Sequence, residues 1–230
     1  MKLREVVAQT HRVPSEKIHE WSMKSPVRCC NEAASKRMVE AIKRAKRAKD
    51  TLGGVAEVRA WGVPPGLGSH VQWDRKLDAR VAQAMMSIQA VKGVEIGLGF
   101  RGVGRPGSQF HDEIVYRAER RPGGPYRRLT NNLGGTEGSM TTGEELVVRV
   151  AKKPISTLMR PLRTVNMETH SPAEALVERS DVCAVPALAI IVEAALAIVL
   201  AEFFVEKFGG DSLEETRRNF EGYVESISER

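Results

Sequence analysis

Four short runs in this 230-residue chain combine charge, hydroxyl groups or bare main chain in ways that suit chemistry. The run KKPIST, residues 152–157, sets Lys153 beside the hydroxyls of Ser156 and Thr157 at what reads as a strand end. In ERSDV, 178–182, Arg179 stands two residues before Asp181 at the threshold of a long apolar segment. A helix N-terminus favours an anion, and an arginine there can clamp one with two parallel hydrogen bonds. GSQFHDE, 107–113, puts His111 next to Asp112 and Glu113. NNLGGTEGSMTTG, 131–143, carries Gly134, Gly135, Gly138 and Gly143. Such glycines are kept where a turn needs a positive φ or where another group must approach the main chain. Tight hairpin turns satisfy that requirement, and so does an anionic ligand held by main-chain N–H groups. Each charged residue also has a plainer role: Lys153 as a surface charge, Asp181 as a helix cap, His111 as an exposed loop histidine.

Several chemistries have no support. The chain has no G-x-S-x-G, H-E-x-x-H or Walker loop. Cys29, Cys30 and Cys183 are too few and wrongly spaced for a structural zinc site, and an odd count with two adjacent members suits a reduced, intracellular protein. The formal charge of +6 fits a protein that handles anions, whether phosphorylated metabolites or nucleic acid, without choosing between them. The opening MKLREVVAQTHRV lacks an apolar stretch long enough for a signal peptide.

The elements that must position these runs alternate in type. Residues 3–13 read as a short strand. Residues 33–49 read as a helix with Ala34, Met38, Ile42 and Ala45 on one face and six lysines and arginines on the other, a solvated face rather than a nucleic-acid site. GGVAEVRAW, 53–61, reads as a strand with Ala56, Val58 and Ala60 on one side and Glu57 and Arg59 on the other. A helix follows from about 74, with Leu77, Val81, Met85 and Ile88 in its stripe and Gly93 as its end. Residues 100–131 suggest a hairpin or lid. EELVVRVAKKP, 144–154, is a strand ended by Pro154, and loop is expected from there to about 172. The segment 182–205 is long enough to span a bilayer, but Glu193 lies at its middle. It is read as a helix buried on most sides in a soluble core. Ser212 and Glu215 form a capping box that opens a last amphipathic helix.

Taken in order, MMSIQAVKGVEIGLGF, GSQFHDE, TNNLGGTEGSMTTGE, KKPIST and ERSDVCAVPA resemble the C-terminal two-thirds of chorismate synthase, with GVPPGLGS upstream and EKFGGD downstream fitting as well. The resemblance implies an α+β fold: a layered sandwich with helices packed between antiparallel β-sheets. Residues 1–230 would then be a single domain, N-terminally truncated by roughly a third of the family pattern. It implies a lyase of the shikimate pathway, the route to the aromatic amino acids. The reaction is a 1,4-elimination of phosphate from 5-enolpyruvylshikimate 3-phosphate that requires reduced FMN. It further implies a cytoplasmic homotetramer acting on a phosphorylated small molecule, with no nucleic acid or membrane partner.

Carried over motif by motif, the resemblance puts Gln89, Ala90 and Gly138 at the flavin. Lys153, Pro154, Ile155, Ser156 and Thr157 lie around the flavin and its phosphate. Arg179 stands near flavin and substrate, and Asp181 is the acid that relays the proton. Departures point to the alternative of a truncated or degenerate non-catalytic relative that keeps the fold and weak flavin binding. The family's early G-E-S-H-G, G-G-Y-G-R-G and S-A-R motifs are not found here. Leu98 stands where the family has Asp, Leu133 where it has Ala, and Ser139 where it has Gly. Were position 139 to need a positive φ, the serine would be strained by roughly 1–2 kcal/mol.

Overall fold

The structure, a computed structural model, describes residues 14–117 and 124–229. The strand expected over 3–13 lies outside the described residues. Helices and short antiparallel ribbons give the α+β class expected from the sequence. The chain forms two compact units: one holds the residues up to Ala56 together with Ala151–Ile190, the other Glu57–Val150 together with Ile191–Arg230.

The first unit contains α1 (Ser15–Lys24) and α2 (Glu32–Arg47). Asn31 caps α2 by accepting from the Ala34 main-chain N–H, Glu32 sits at its positive end, and Arg44, Lys46 and Arg47 sit at its negative end. Ala34, Ala41 and Ala45 are buried along one face. The basic face is exposed, and two of its lysines pair with Glu32 and Glu40 one helical turn away.

Strand β1 (Gly54–Ala60) begins in this unit and ends in the second. Its alternation is as expected: Ala56 and Val58 are buried, while Glu57 and Arg59 join in an ion pair. In the second unit α3 (Leu77–Met86) buries Leu77, Val81 and Met85 completely. Burial of this kind stabilises by about 1.5–3 kcal/mol per side chain. The helix stops seven residues short of the expected Gly93. Ala90 takes φ +67° and turns the chain, and β2 (Val91–Ile96) follows. Val91 is buried and the strand pairs in a sheet, so tertiary pairing overrides the helical pattern. A one-turn helix, α4 (Gly107–Phe110), precedes the β3 (Ile114–Tyr116) and β4 (Tyr126–Arg128) hairpin, which bears out the hairpin expected in 100–131.

The ribbon of β5 (Thr136–Glu137) and β6 (Met140–Thr141) leads to β7 (Leu146–Lys152), the centre of a sheet ordered β1–β7–β2. Leu146, Val148 and Val150 are fully buried on one face of β7. On the other face Arg149 reaches Glu95 of β2 at 2.7 Å, and Arg59 reaches Glu145 at 3.3 Å. These side chains are largely withdrawn from solvent, so each charge has a partner in place of water.

Residues 155–172 are less irregular than expected. They include β8 (Arg163–Val165), which pairs with β9 (Pro172–Glu174). The Asn166 side chain closes the turn by accepting from the N–H groups of Glu168 and Thr169. No apolar alternation announces this exposed ribbon.

The long helix α5 (Val185–Phe208) forms where the apolar segment was read, but its burial differs from expectation. One stripe is buried, formed by Leu188, Val192, Leu196, Val199 and Phe203, whereas Ile191, Ile198 and Val205 are exposed. The segment has more apolar side chains than one packed face can cover. By length and composition it is long and apolar enough to cross a membrane. Helix α6 (Leu213–Ser228) starts at Ser212, whose hydroxyl accepts from Glu215 N–H, while the Glu215 carboxylate returns to the Asp211 N–H. Phe204, Phe208 and Phe220 pack ring to ring, joining α5 to α6.

Candidate active site

The residues singled out by sequence fall into two groups, one in each unit. In the first unit, Lys153–Thr157 leave the end of β7 and the segment 178–182 precedes α5. A third stretch, Thr51–Gly53, binds both. The buried Thr51 hydroxyl donates to Ile155 O at 2.6 Å, and Leu52 N–H donates to Val182 O at 2.8 Å. Leu52 also forms a parallel bridge with Cys183. Gly53 is obligatory, since a Cβ there would overlap Lys152 O and lie 2.9 Å from Pro154 N. The two segments also meet directly, through the Ser180 hydroxyl donating to Thr157 O at 2.9 Å.

The main chain is thus fixed, and the candidate side chains point to no such partner among the described residues. Lys153, Ser156, Arg179 and Asp181 are exposed. Among the described residues no ion pair engages Lys153, Arg179 or Asp181. Two cations, a hydroxyl-bearing loop and one carboxylate on a tied frame suit a phosphorylated anion whose proton must also be handled. At Cys183, next in line, burial pushes the thiol pKa up, and a hydrogen bond with the Val185 main chain only partly opposes this.

In the second unit, Gln89 and Ala90 lie in the turn between α3 and β2, Gln89 exposed and Ala90 in the left-handed conformation. Gly138 lies at the tip of the β5–β6 ribbon. Glu137 and Met140 pair across the tip, and Gly138 at φ +56° and Ser139 at φ +64° make a type I′ turn. The strain anticipated for Ser139 is therefore present. Its hydroxyl donates to Asp78 at 3.2 Å and its carbonyl accepts from Leu77 N–H. The other glycines answer to the protein's own backbone. A Cβ on Gly134 would overlap the main chain of Gly97, one on Gly97 would overlap Asn132 O, and one on Gly135 would lie 2.5 Å from Glu145 O. A Cβ on Gly138, in contrast, would meet nothing. Of the two readings of the glycine run, tight turns and close backbone packing account for Gly134 and Gly135, and Gly138 presents main chain to open space.

That space is a cleft of about 830 Å³, lined by Gly138, Ser139, Phe100, Phe110 and His111 and by the carboxylates of Asp78, Glu95, Asp112 and Glu137. Each carboxylate is engaged. Glu137 takes two hydrogen bonds from Arg128, which raise the arginine's pKa above its ordinary value. Glu95 pairs with Arg149. Asp78 holds Ser139, and Asp112 holds residues 130–133. Neither Gln89 nor Ala90 lines this cleft. Sequence reasoning missed Thr51, which carries no motif. It noticed Asp112 only as a neighbour of His111.

Comparison with known proteins accounts for the motif order. A family model described as chorismate synthase matches residues 2–205. A chorismate synthase of Pelobacter propionicus is 56% identical over 225 residues, 96% of this chain and 57% of the relative. One from Symbiobacterium thermophilum is 61% identical over 206 residues, 90% of this chain and 52% of the relative. A crystal structure of chorismate synthase matches with a TM-score of 0.81 and 42% identity, covering 100% of this chain and 61% of that one. The chain spans little more than half the length of the curated relatives it matches. With the family model covering most of its residues and its fold superposing on a solved member, the chain belongs to the chorismate synthase family.

Proposed function

We propose that this chain serves the family reaction, the 1,4-elimination of phosphate from 5-enolpyruvylshikimate 3-phosphate to give chorismate. The observation that carries the reading is the frame around Thr51–Gly53. It ties the Lys153–Thr157 loop to the Arg179–Asp181 segment while leaving the charged side chains of both without ion-pair partners among the described residues. Lys153 and Arg179 hold anionic phosphate, and the Ser156 and Thr157 hydroxyls donate to its oxygens. Pro154 and Ile155 fix the loop's path, with Ile155 O already claimed by Thr51. Asp181 accepts and relays the ring proton, a task suited to an exposed carboxylate. Gln89, Ala90 and the Gly138 main chain would hold the flavin ring. This donor set fits FMN, a phosphate monoester with a polar heterocycle. When bound, reduced FMN would lend electron density transiently to the elimination, with no net redox change. The working form is a single chorismate synthase-like domain in a cytoplasmic homotetramer.

A second reading is a relative that binds flavin weakly without turnover. The cleft beside Gly138 favours it, because four carboxylates and, among the described residues, no lysine or arginine line that cleft. Leu98, where the family has Asp, favours it too. An anaerobic assay with dithionite-reduced FMN and substrate separates the two. Phosphate release that is abolished by Asp181→Asn, with flavin affinity kept, supports the first. Flavin binding with no release supports the second. Unchanged flavin affinity in Lys153→Ala removes Lys153 from the site.

A further inference from the structure

We infer that Asp112 is a positioning residue, whose carboxylate sets the base of the glycine ribbon and through it the main chain of Gly138. Asp112 is 9% exposed, and a carboxylate so withdrawn from water needs donors to replace it. It has three. Oδ1 accepts from the Thr130 hydroxyl at 2.5 Å and from Asn132 N–H at 2.8 Å, and Oδ2 accepts from Leu133 N–H at 3.0 Å. All three donors lie in residues 130–133, immediately before the ribbon. The segment they fix is the one that packs on the turn after β2: Leu98 N–H donates to Asn132 O at 2.8 Å, and Gly134 lies against Gly97 with no room for a side chain. Beyond it, the Arg128–Glu137 pair and the Leu77–Ser139 hydrogen bond hold the far end of the ribbon. Asp112 therefore fixes the near end, and Gly138 is the tip between the two anchors.

Two oxygens on one short stem are needed. An asparagine keeps one acceptor but turns an NH₂ group toward a donor, and a buried donor facing a donor is left unsatisfied. The link from ribbon to ligand rests on the reading of Gly138 as a flavin contact, so the test has one arm that does not use flavin. Amide hydrogen exchange is compared in the wild-type chain and in Asp112→Asn. The expected result is faster exchange, by about tenfold or more, at residues 132–141, with Leu146–Lys152 unchanged. Titration with oxidised FMN, followed by its fluorescence, should show affinity weakened about tenfold in the variant, and Asp112→Glu should recover part of both losses. Unchanged exchange at 132–141 overturns the inference. So does exchange that rises equally in β7, which would mark a merely structural role. Faster ribbon exchange with unaltered FMN affinity overturns the link to the site. If the wild-type chain binds no FMN, the flavin reading falls, and local loosening in Asp112→Asn still establishes the hold on the ribbon. Should Asp112→Asn fail to fold, Thr130→Val removes one donor and leaves the carboxylate; no loosening at 132–141 in that variant counts against the inference.

Discussion

The glycine ribbon of residues 131–143 and the Lys153–Thr157 loop, one in each compact unit, are built in opposite ways. In the ribbon nearly every group is committed. Gly134 and Gly135 touch other backbone, Glu137 is doubly bonded to Arg128, Asn131 donates to Glu145 O, and Asp112 grips the base. In the loop the main chain is committed, through Thr51 and Ser180, and its one charged side chain, Lys153, has no ion-pair partner among the described residues. The difference separates two kinds of construction. One region presents a rigid main-chain surface, and the other presents charge that no ion pair neutralises among the described residues. A residue of the first region should therefore affect stability first and binding second; a charged residue of the second should do the reverse.

The largest expected effect tests the ribbon. Gly134→Ala adds a Cβ that overlaps the Gly97 main chain at a position held at φ +67°, and neither backbone can yield without breaking β2 from its neighbours. A loss of about 3 kcal/mol or more is expected in urea denaturation. Lys153→Ala in the same assay should stay within about 0.5 kcal/mol of wild type, because its side chain is exposed. Equal losses in the two would erase the contrast. A middle-sized effect sharpens it. Thr51→Val keeps shape but leaves Ile155 O without its donor, which should cost about 1–2 kcal/mol and weaken FMN binding in proportion. A variant with full stability and full affinity would show that the loop needs no tether. The smallest effect runs the other way. Ser139→Gly relieves a left-handed serine in a type I′ turn, and about 0.5–1 kcal/mol of stabilisation should remain after the 3.2 Å bond to Asp78 is lost. A drop in stability would mean that this hydroxyl is worth more than the strain.

Much of this was legible beforehand because it is local. The Ser212–Glu215 cap, the alternation of Glu57 and Arg59 against Ala56 and Val58, and the end of β7 near Pro154 follow from neighbours a few residues apart. The five motifs, in order, carried the family and hence the candidate residues. The early end of α3 was not legible, since Gln83–Gly93 continues a helical pattern until pairing in the sheet claims Val91–Ile96. The β8–β9 ribbon was hidden by its exposure, which leaves no apolar alternation to read.

The amino-acid sequence by itself determined which residue types are available for the proposed phosphate, proton and flavin roles, and where most helices and strands begin, because propensity, capping and apolar periodicity act over a few residues. Only the tertiary structure decided what those residues are free to do. The Gly134–Gly97 contact, the Thr51 tether, the three donors on Asp112 and the one buried stripe of α5 join positions far apart in the chain or depend on how much neighbouring surface is present. Steric exclusion and hydrogen-bond geometry act through space, so no local pattern of residues records them.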